Sequence, residues 1–191
     1  MMRSMRNALA TLCSLLAFGC ATAPFHAPSA PAAPAARATG DSVYAPYRFL
    51  VGEWNVSPAD GGPAAGIVRF RWGPNESYLW LAVATLANGR EEPHLEGMLM
   101  WNGARKDLDM LVALDLNGGR AQEQGRLYVD RDGTVVREIT LIDAKGASAR
   151  FRQTFTRESE RRVLTSVMRQ QGEAWVATFP GSDRLVMTPR G

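Results

Sequence analysis

Short runs of β-branched, aromatic and aliphatic residues alternate with turn signals from residue 50 to the end of the chain. Pairs such as Asn88-Gly89 and Asp132-Gly133 separate the runs, and these pairs tolerate the positive φ angles of tight hairpin turns. The pattern predicts ten or eleven strands and, before them, one short helix near Tyr44–Phe49. The predicted strands are Leu50–Val56, Gly66–Trp72, Tyr78–Leu86, His94–Trp101, Leu108–Leu116, Gly125–Asp130, Thr134–Ile142, Ala149–Thr156, Val163–Gln170, Trp175–Phe179 and Leu185–Thr188.

Most of these runs have one apolar and one polar face. In the run that ends at Trp72, Phe70 and Trp72 alternate with Arg69 and Arg71. Such two-faced strands are typical of an antiparallel sheet around one core, and closing the sheet removes its aggregation-prone edges. The sequence therefore predicts an all-β fold, a single antiparallel meander β-barrel of about ten strands, over residues 41–191.

The run Tyr78–Leu86 is apolar on both faces. A one-residue choice of register decides whether Trp80 or its immediate neighbours point inward, and the pattern leaves both open. Small alanines close to Trp80 leave room that a large aliphatic side chain would fill. We therefore expect a partial lumen near Trp80 and the run that holds Met98 and Met100.

The N-terminus has the three-part pattern of a secretory signal. Arg3 and Arg6 precede an apolar stretch that ends at Gly19-Cys20. This pattern resembles a bacterial lipoprotein signal, with residues 1–19 as the leader and Cys20 as the lipidated mature N-terminus. The resemblance implies a lipid anchor in the outer membrane, facing the periplasm. Cleavage after Ala23, which would give a soluble periplasmic or secreted protein, is the alternative.

Residues 20–40 are almost entirely Ala, Pro, Ser and Thr. Closely spaced prolines stop helices and favour extended chain, so this segment is predicted to be a disordered tether. The two cysteines are Cys13, inside the leader, and Cys20. A processed chain would therefore contain no intramolecular disulfide.

Composition and charge narrow the function classes. A 191-residue chain with 46% hydrophobic residues suits one sizeable domain and is too rich in core-forming residues for overall disorder. The net charge is +3, but removal of Arg3 and Arg6 with the leader brings it close to neutral. Bulk charge therefore gives no support for nucleic-acid binding.

Motifs of catalysis and metal binding are missing from the predicted barrel. The sequence has no Gly-x-Ser-x-Gly elbow and no P-loop. His94 is the sole histidine after the tether, and a single His94-x-Glu96 pair is too few ligands for a zinc site. We expect no metal and no cofactor, and the sequence leaves open whether the chain is an enzyme.

Five arginines lie on predicted strands and have two interpretations. Strand alternation favours the solvent-facing side for them. In the alternative, one or two point inward and bind a carboxylate in bidentate geometry. The five are Arg69, Arg71, Arg137, Arg150 and Arg152.

The segment Phe49-Leu50-Val51-Gly52-Glu53-Trp54, preceded by Tyr44-Ala45-Pro46, resembles the opening of calycin-type barrels such as lipocalins, fatty-acid-binding proteins and nitrobindins. In those families a Gly-x-Trp on the first strand closes one barrel end, which assigns that place to Trp54. Segments 71–75, 95–97 and 172–175 resemble a bacterial group of lipocalin-like domains. Nitrobindins hold haem through a histidine near the C-terminal strands, and no histidine follows His94, so no haem site is implied.

Two functions follow from this barrel. In the first, it binds a small apolar or amphipathic ligand. In the second, it is a structural or interaction protein of the cell envelope with a solid core and no ligand. The residues expected to line a ligand site are Trp54, Trp72, Trp80, Met98, Met100 and Trp101, together with Arg71.

Overall fold

The computed structural model describes residues 42–116 and 119–191, which hold eleven β-strands and two 3-10 helices. The helices are Ala45–Leu50 and Pro74–Glu76. The strands are β1 (Gly52–Pro58), β2 (Gly66–Trp72), β3 (Leu79–Ala87), β4 (Arg90–Asn102), β5 (Asp107–Leu116), β6 (Gly119–Val129), β7 (Val135–Ile142), β8 (Ser148–Ser159), β9 (Arg162–Gln171), β10 (Ala174–Ala177) and β11 (Leu185–Pro189). The fold is therefore all-β, as predicted, with the first helix where one was expected. The predicted leader, tether and lipidation site lie outside the described residues.

The sheet closes on itself. Each strand from β1 to β9 pairs antiparallel with the next along the chain, β9 also pairs with β11, and β11 pairs with β1. β10 and β11 share one edge of β9: β10 pairs with residues 168–171 and β11 with residues 163–165. Ten strands thus surround the barrel and β10 extends the row of β11, so the predicted single antiparallel barrel of about ten strands is confirmed.

Strands β4 and β6 begin four and six residues earlier than predicted, because hairpin pairing continues through their polar first residues. Asn88 and Gly89, with φ angles of 52° and 74°, form the turn between β3 and β4, and pairing starts at once with Ala87 opposite Arg90. β6 likewise starts at Gly119 instead of Gly125. The polar first residues of both strands are paired in the sheet, and in β4 they precede a β-bulge.

Two glycines allow neighbouring strands to approach closely. A Cβ added at Gly97 would collide with the carbonyl oxygen of Leu111, and one added at Gly125 with the carbonyl oxygen of Glu138. Glycine at such positions lets a sheet coil strongly enough to close.

The first helix covers one end of the barrel, which we call the packed end. It is formed by Tyr47 and Leu50 of the helix together with Trp54, Phe70 and Phe155, all buried. The rings of Phe70 and Phe155 meet edge to face with centroids 6.0 Å apart. The indole nitrogen of Trp54 donates a hydrogen bond of 2.7 Å to the carbonyl oxygen of Leu50, so the strand and the helix are tied together.

Alternation along β3 settles its register. Leu79 and Leu81 belong to the core, and Val83 packs against it, whereas Trp80 is on the opposite, outer face. Neither helix in residues 42–116 and 119–191 is long and apolar enough to span a membrane.

Candidate functional site

A cavity of about 500 Å³ lies inside the barrel, on the side away from the packed end. Inward-facing residues of nearly every strand form its wall, and most of them are apolar. Among them are Val56, Val68, Leu95, Leu114, Leu141 and Phe151. The barrel is therefore packed in one half and hollow in the other.

Arg137 points into this half of the barrel because of its place on β7. Val135 and Ile139, two residues away on either side, belong to the core, so Arg137 shares their inward face. In the sheet it lies opposite Leu127 of β6 and Gln153 of β8. Only 7% of its surface is exposed.

Four inward side chains form a connected polar cluster, which consists of Glu123, Arg137, Gln153 and Thr165. Arg137 Nη2 forms an ion pair with the Glu123 carboxylate, and Nη1 donates a 3.0 Å hydrogen bond to Gln153 Oε1. Gln153 Nε2 in turn donates a 3.3 Å hydrogen bond to Thr165 Oγ1. Glu123, Arg137 and Gln153 line the cavity.

One donor of this cluster has no partner among the described residues. Arg137 Nε is buried and finds no acceptor among the described residues. Leaving such a donor unsatisfied costs about 1–3 kcal/mol, and native structures keep few of them. A buried ion pair is also weak evidence for a purely stabilising role, because desolvation offsets most of the attraction. The unsatisfied donor and the buried ion pair make this cluster the candidate site.

The segment between β10 and β11 borders the cavity at its mouth. Thr178 to Gly181 line it, and Phe179 is 50% exposed there. The buried Ser182 fixes this segment: its Oγ donates to the carbonyl oxygen of Val167 at 2.8 Å and accepts from the Thr178 amide at 2.8 Å. This hydroxyl acts together with backbone hydrogen bonds, such as the 2.6 Å bond from the Val167 amide to the Ser182 carbonyl oxygen, to fix the segment that carries Phe179.

The outer face of the same strands carries a second charged cluster. Glu138, next to Arg137 in sequence, receives hydrogen bonds from Arg126 at 3.0 Å and from Arg152 at 2.7 Å. Burial raises the pKa of Glu138, but the two arginines outweigh it, so the pKa is lowered. Arg150 and Arg152 also lie over the ring of Trp175, at 5.9 and 5.4 Å from its centroid.

Three of the residues predicted to line a ligand site lie near the packed end. Trp54 is buried, as its predicted barrel-closing place requires. Trp72 and Trp101 pack partly buried against the same core, and Tyr44 contacts both: its ring meets Trp72 edge to face and its hydroxyl accepts a hydrogen bond from the Trp101 amide. None of the three lines the cavity.

The other four predicted residues lie on the outer face. Arg71, Trp80 and Met98 occupy opposing positions on β2, β3 and β4, and Met100 is two residues further along β4. Arg71 is exposed, and Met100 is 49% exposed. The structure therefore divides the predicted set between two places, and the cavity is elsewhere than beside Trp80.

The favoured interpretation of the five arginines needs one correction. Arg71 and Arg150 are exposed, and Arg69 and Arg152 form ion pairs with partly exposed carboxylates, as solvent-facing residues do. Arg137 is the exception, because it occupies the inner face of its strand. The alternation of β7 indicates this inward position in the sequence, since Arg137 shares a face with Val135, Ile139 and Leu141.

The two partners of Arg137, Gln153 and Glu123, are not among the residues predicted to line a site. Gln153 shares a face with Phe151 and Phe155, which marks it as inward. The inward position of Glu123 could not be predicted because β6 was predicted to start after it, at Gly125.

The described parts of the chain contain no cluster of side chains that could bind a metal ion. His94 lines the cavity beside a β-bulge, where Val83 pairs with Leu95 and Ala84 with Pro93. No group of three or more His, Cys, Asp or Glu side chains in residues 42–116 and 119–191 is placed to hold a metal ion.

Comparison with models of known protein families gives no match, and a search of curated proteins gives no significant match. The closed antiparallel barrel is consistent with a calycin-like barrel. Functional assignment therefore rests on the cavity and its polar cluster.

Proposed function

We propose that the barrel binds a small, predominantly apolar molecule in its cavity. The observation that carries this proposal is a cavity of about 500 Å³ with mainly apolar walls and a few convergent polar groups. Binding pockets for small molecules have this character and typically measure roughly 300–1,000 Å³. The alternative, an envelope protein with a solid core, is supported only by the packed end.

Binding of an uncharged, environment-sensitive dye such as N-phenyl-1-naphthylamine tests this function. We expect micromolar affinity for the folded protein. Val167, an inward residue of β9 that lines the cavity, offers the blocking variant Val167→Phe. It should weaken dye binding at least tenfold because the added ring takes up cavity volume.

Ala113→Phe provides the matched control. Ala113 is exposed on the outer face of β5, so the same ring added there should leave dye binding unchanged. A folded parent protein that binds no dye, or equal weakening by both variants, would contradict ligand binding in the cavity.

We also propose that the barrel is of calycin type and is attached to the bacterial outer membrane, facing the periplasm, through lipid on Cys20. The Gly52-x-Trp54 segment at the packed end supports the barrel type, and the leader sequence supports the anchor. Cys20→Ala should move the protein from the membrane fraction to the soluble periplasmic fraction. Unchanged fractionation would contradict lipidation at Cys20 and leave cleavage after Ala23 to be tested by N-terminal sequencing.

A further inference from the structure

The polar cluster also defines the charge of the ligand. We propose that the cavity selects an uncharged molecule with a hydrogen-bond acceptor, such as an ester, ketone or alcohol, over a carboxylate with the same carbon skeleton. This inference rests on the proposed function, because it names the class of ligand for the same cavity.

The first step is the charge balance inside the barrel. Glu123 and Arg137 are each only 7% exposed, and they form an ion pair with one another. The buried positive charge is therefore already matched by a buried negative charge. An inward arginine without such a partner would attract an anion, but this one has its counterion within the protein.

The second step is the fate of Glu123 when an anion enters. A ligand carboxylate that takes the place of Glu123 on Arg137 leaves the Glu123 carboxylate buried without its ion-pair partner. A ligand that shares Arg137 places two carboxylates close together around one guanidinium. Both arrangements are costly in a low-dielectric interior, where an uncompensated charge is strongly penalised.

The third step is the donors that remain. Nη1 and Nη2 of Arg137 each carry two N–H groups, and the contacts to Gln153 and Glu123 use one on each. Gln153 Nε2 likewise has a second N–H beside the one that it donates to Thr165. Arg137 and Gln153 line the cavity, so a neutral oxygen acceptor on the ligand accepts from these groups and leaves the ion pair intact. The apolar wall then covers the rest of the molecule.

Displacement of N-phenyl-1-naphthylamine from the full-length protein by two matched probes tests this inference. The probes are methyl decanoate and decanoate, compared at one fixed pH so that protein charges are the same in both measurements. We expect the ester to displace the dye at a concentration at least tenfold lower than the carboxylate. Equal potency, or a preference for decanoate, overturns the inference.

A charge-changing variant sharpens the test. Glu123→Gln removes the counterion while keeping the shape of the side chain, so Arg137 gains an unmatched positive charge and the preference should reverse toward decanoate. Glu96→Gln, an exposed carboxylate on β4 that does not line the cavity wall beside Arg137, makes the same chemical change and should keep the preference for the ester. A Glu123→Gln protein that folds and still prefers the ester overturns the inference.

A second variant covers the case in which Glu123→Gln fails to fold. The double variant Glu123→Gln with Arg137→Gln has no charge in the polar cluster, so it should keep a preference for the ester, and a preference for decanoate would overturn the inference. The parent protein decides the question even if neither variant folds. Dye binding with a preference for decanoate refutes this inference alone, whereas absence of dye binding by the folded parent refutes the proposed function.

Discussion

The packed end and the cavity half of the barrel are built from the same strands, but their buried polar atoms have different hydrogen-bond partners. At the packed end, Tyr47 and Trp54 direct their polar atoms to backbone carbonyls and bury their rings. In the cavity half, Arg137 and Gln153 make their hydrogen bonds to other side chains, and Arg137 Nε stays unsatisfied by the described residues. Apolar packing is thus concentrated at one end, and the other end holds the polar cluster on which the proposed ligand binding rests.

Strand β7 illustrates the change within two residues. Val135 is fully buried in the core, and the next inward residue, Arg137, carries a buried charge. Across from them on β8, the buried Phe155 gives way in the same manner to Gln153. One strand pair therefore passes from apolar packing to buried polar side chains while its antiparallel register stays unbroken.

The largest effect is expected at the packed end. Trp54→Ala removes a buried ring and its hydrogen bond to Leu50, and we expect a loss of about 4 kcal/mol in the free energy of unfolding. Denaturant melts measure this loss. Leu111→Ala, at a side chain that is 56% exposed on β5, is the control and should cost less than about 1 kcal/mol. A loss below about 1 kcal/mol for Trp54→Ala would mean that the ring does not close the barrel.

The polar cluster should behave differently from the packed end. Arg137→Met leaves the Glu123 carboxylate buried without its partner and should cost about 3 kcal/mol in unfolding free energy. The double variant Arg137→Met with Glu123→Leu removes both charges and should return to within about 1 kcal/mol of the parent. If the double variant remains as unstable as the single one, the ion pair itself stabilises the barrel. That result would contradict the expectation that stability comes mainly from the packed end.

Tyr47 tests the packed end by titration. Burial, with a smaller contribution from Asp107, raises the pKa of Tyr47 to about 12. Because the pKa is higher in the folded state, the protonated Tyr47 hydroxyl contributes stability below the ordinary tyrosine pKa of about 10. That contribution is lost as the pH rises toward 12. The ultraviolet difference between parent and Tyr47→Phe should therefore show ionisation only near pH 12, and Tyr47→Phe should cost about 1 kcal/mol at neutral pH. Ionisation near pH 10 would mean that water reaches this hydroxyl.

Much of the fold could be predicted from the sequence, because turn pairs and alternation are local signals. Asn88-Gly89 marks a hairpin, and Phe70 with Trp72 marks an inner face, without knowledge of any other strand. The cavity could not be predicted in this way, since it depends on how inward side chains from nearly every strand fill the centre. Trp80 and Met98 are apolar but face outward, so apolar character alone does not tell which side of β3 and β4 faces the interior.

The smallest effect is expected from the outer cluster around Glu138, which lies on the reverse face of the strands that hold Arg137. Arg126 and Arg152 outweigh burial and lower the pKa of Glu138 in the folded state. The stability that ionised Glu138 contributes is therefore present above the ordinary glutamate pKa of about 4.3. It is lost as the pH falls through the lower pKa of the folded protein. The cluster is partly solvated, so we expect this contribution to be below about 1 kcal/mol. Between pH 7 and pH 3, the free energy of unfolding should fall less for Glu138→Gln than for the parent.

Glu96→Gln, at an exposed carboxylate without an ion pair in the described residues, is the control, and its free energy of unfolding should fall as much as that of the parent. Equal losses for Glu138→Gln and the parent would mean that the outer cluster contributes nothing, and that charge matters for this barrel only inside it.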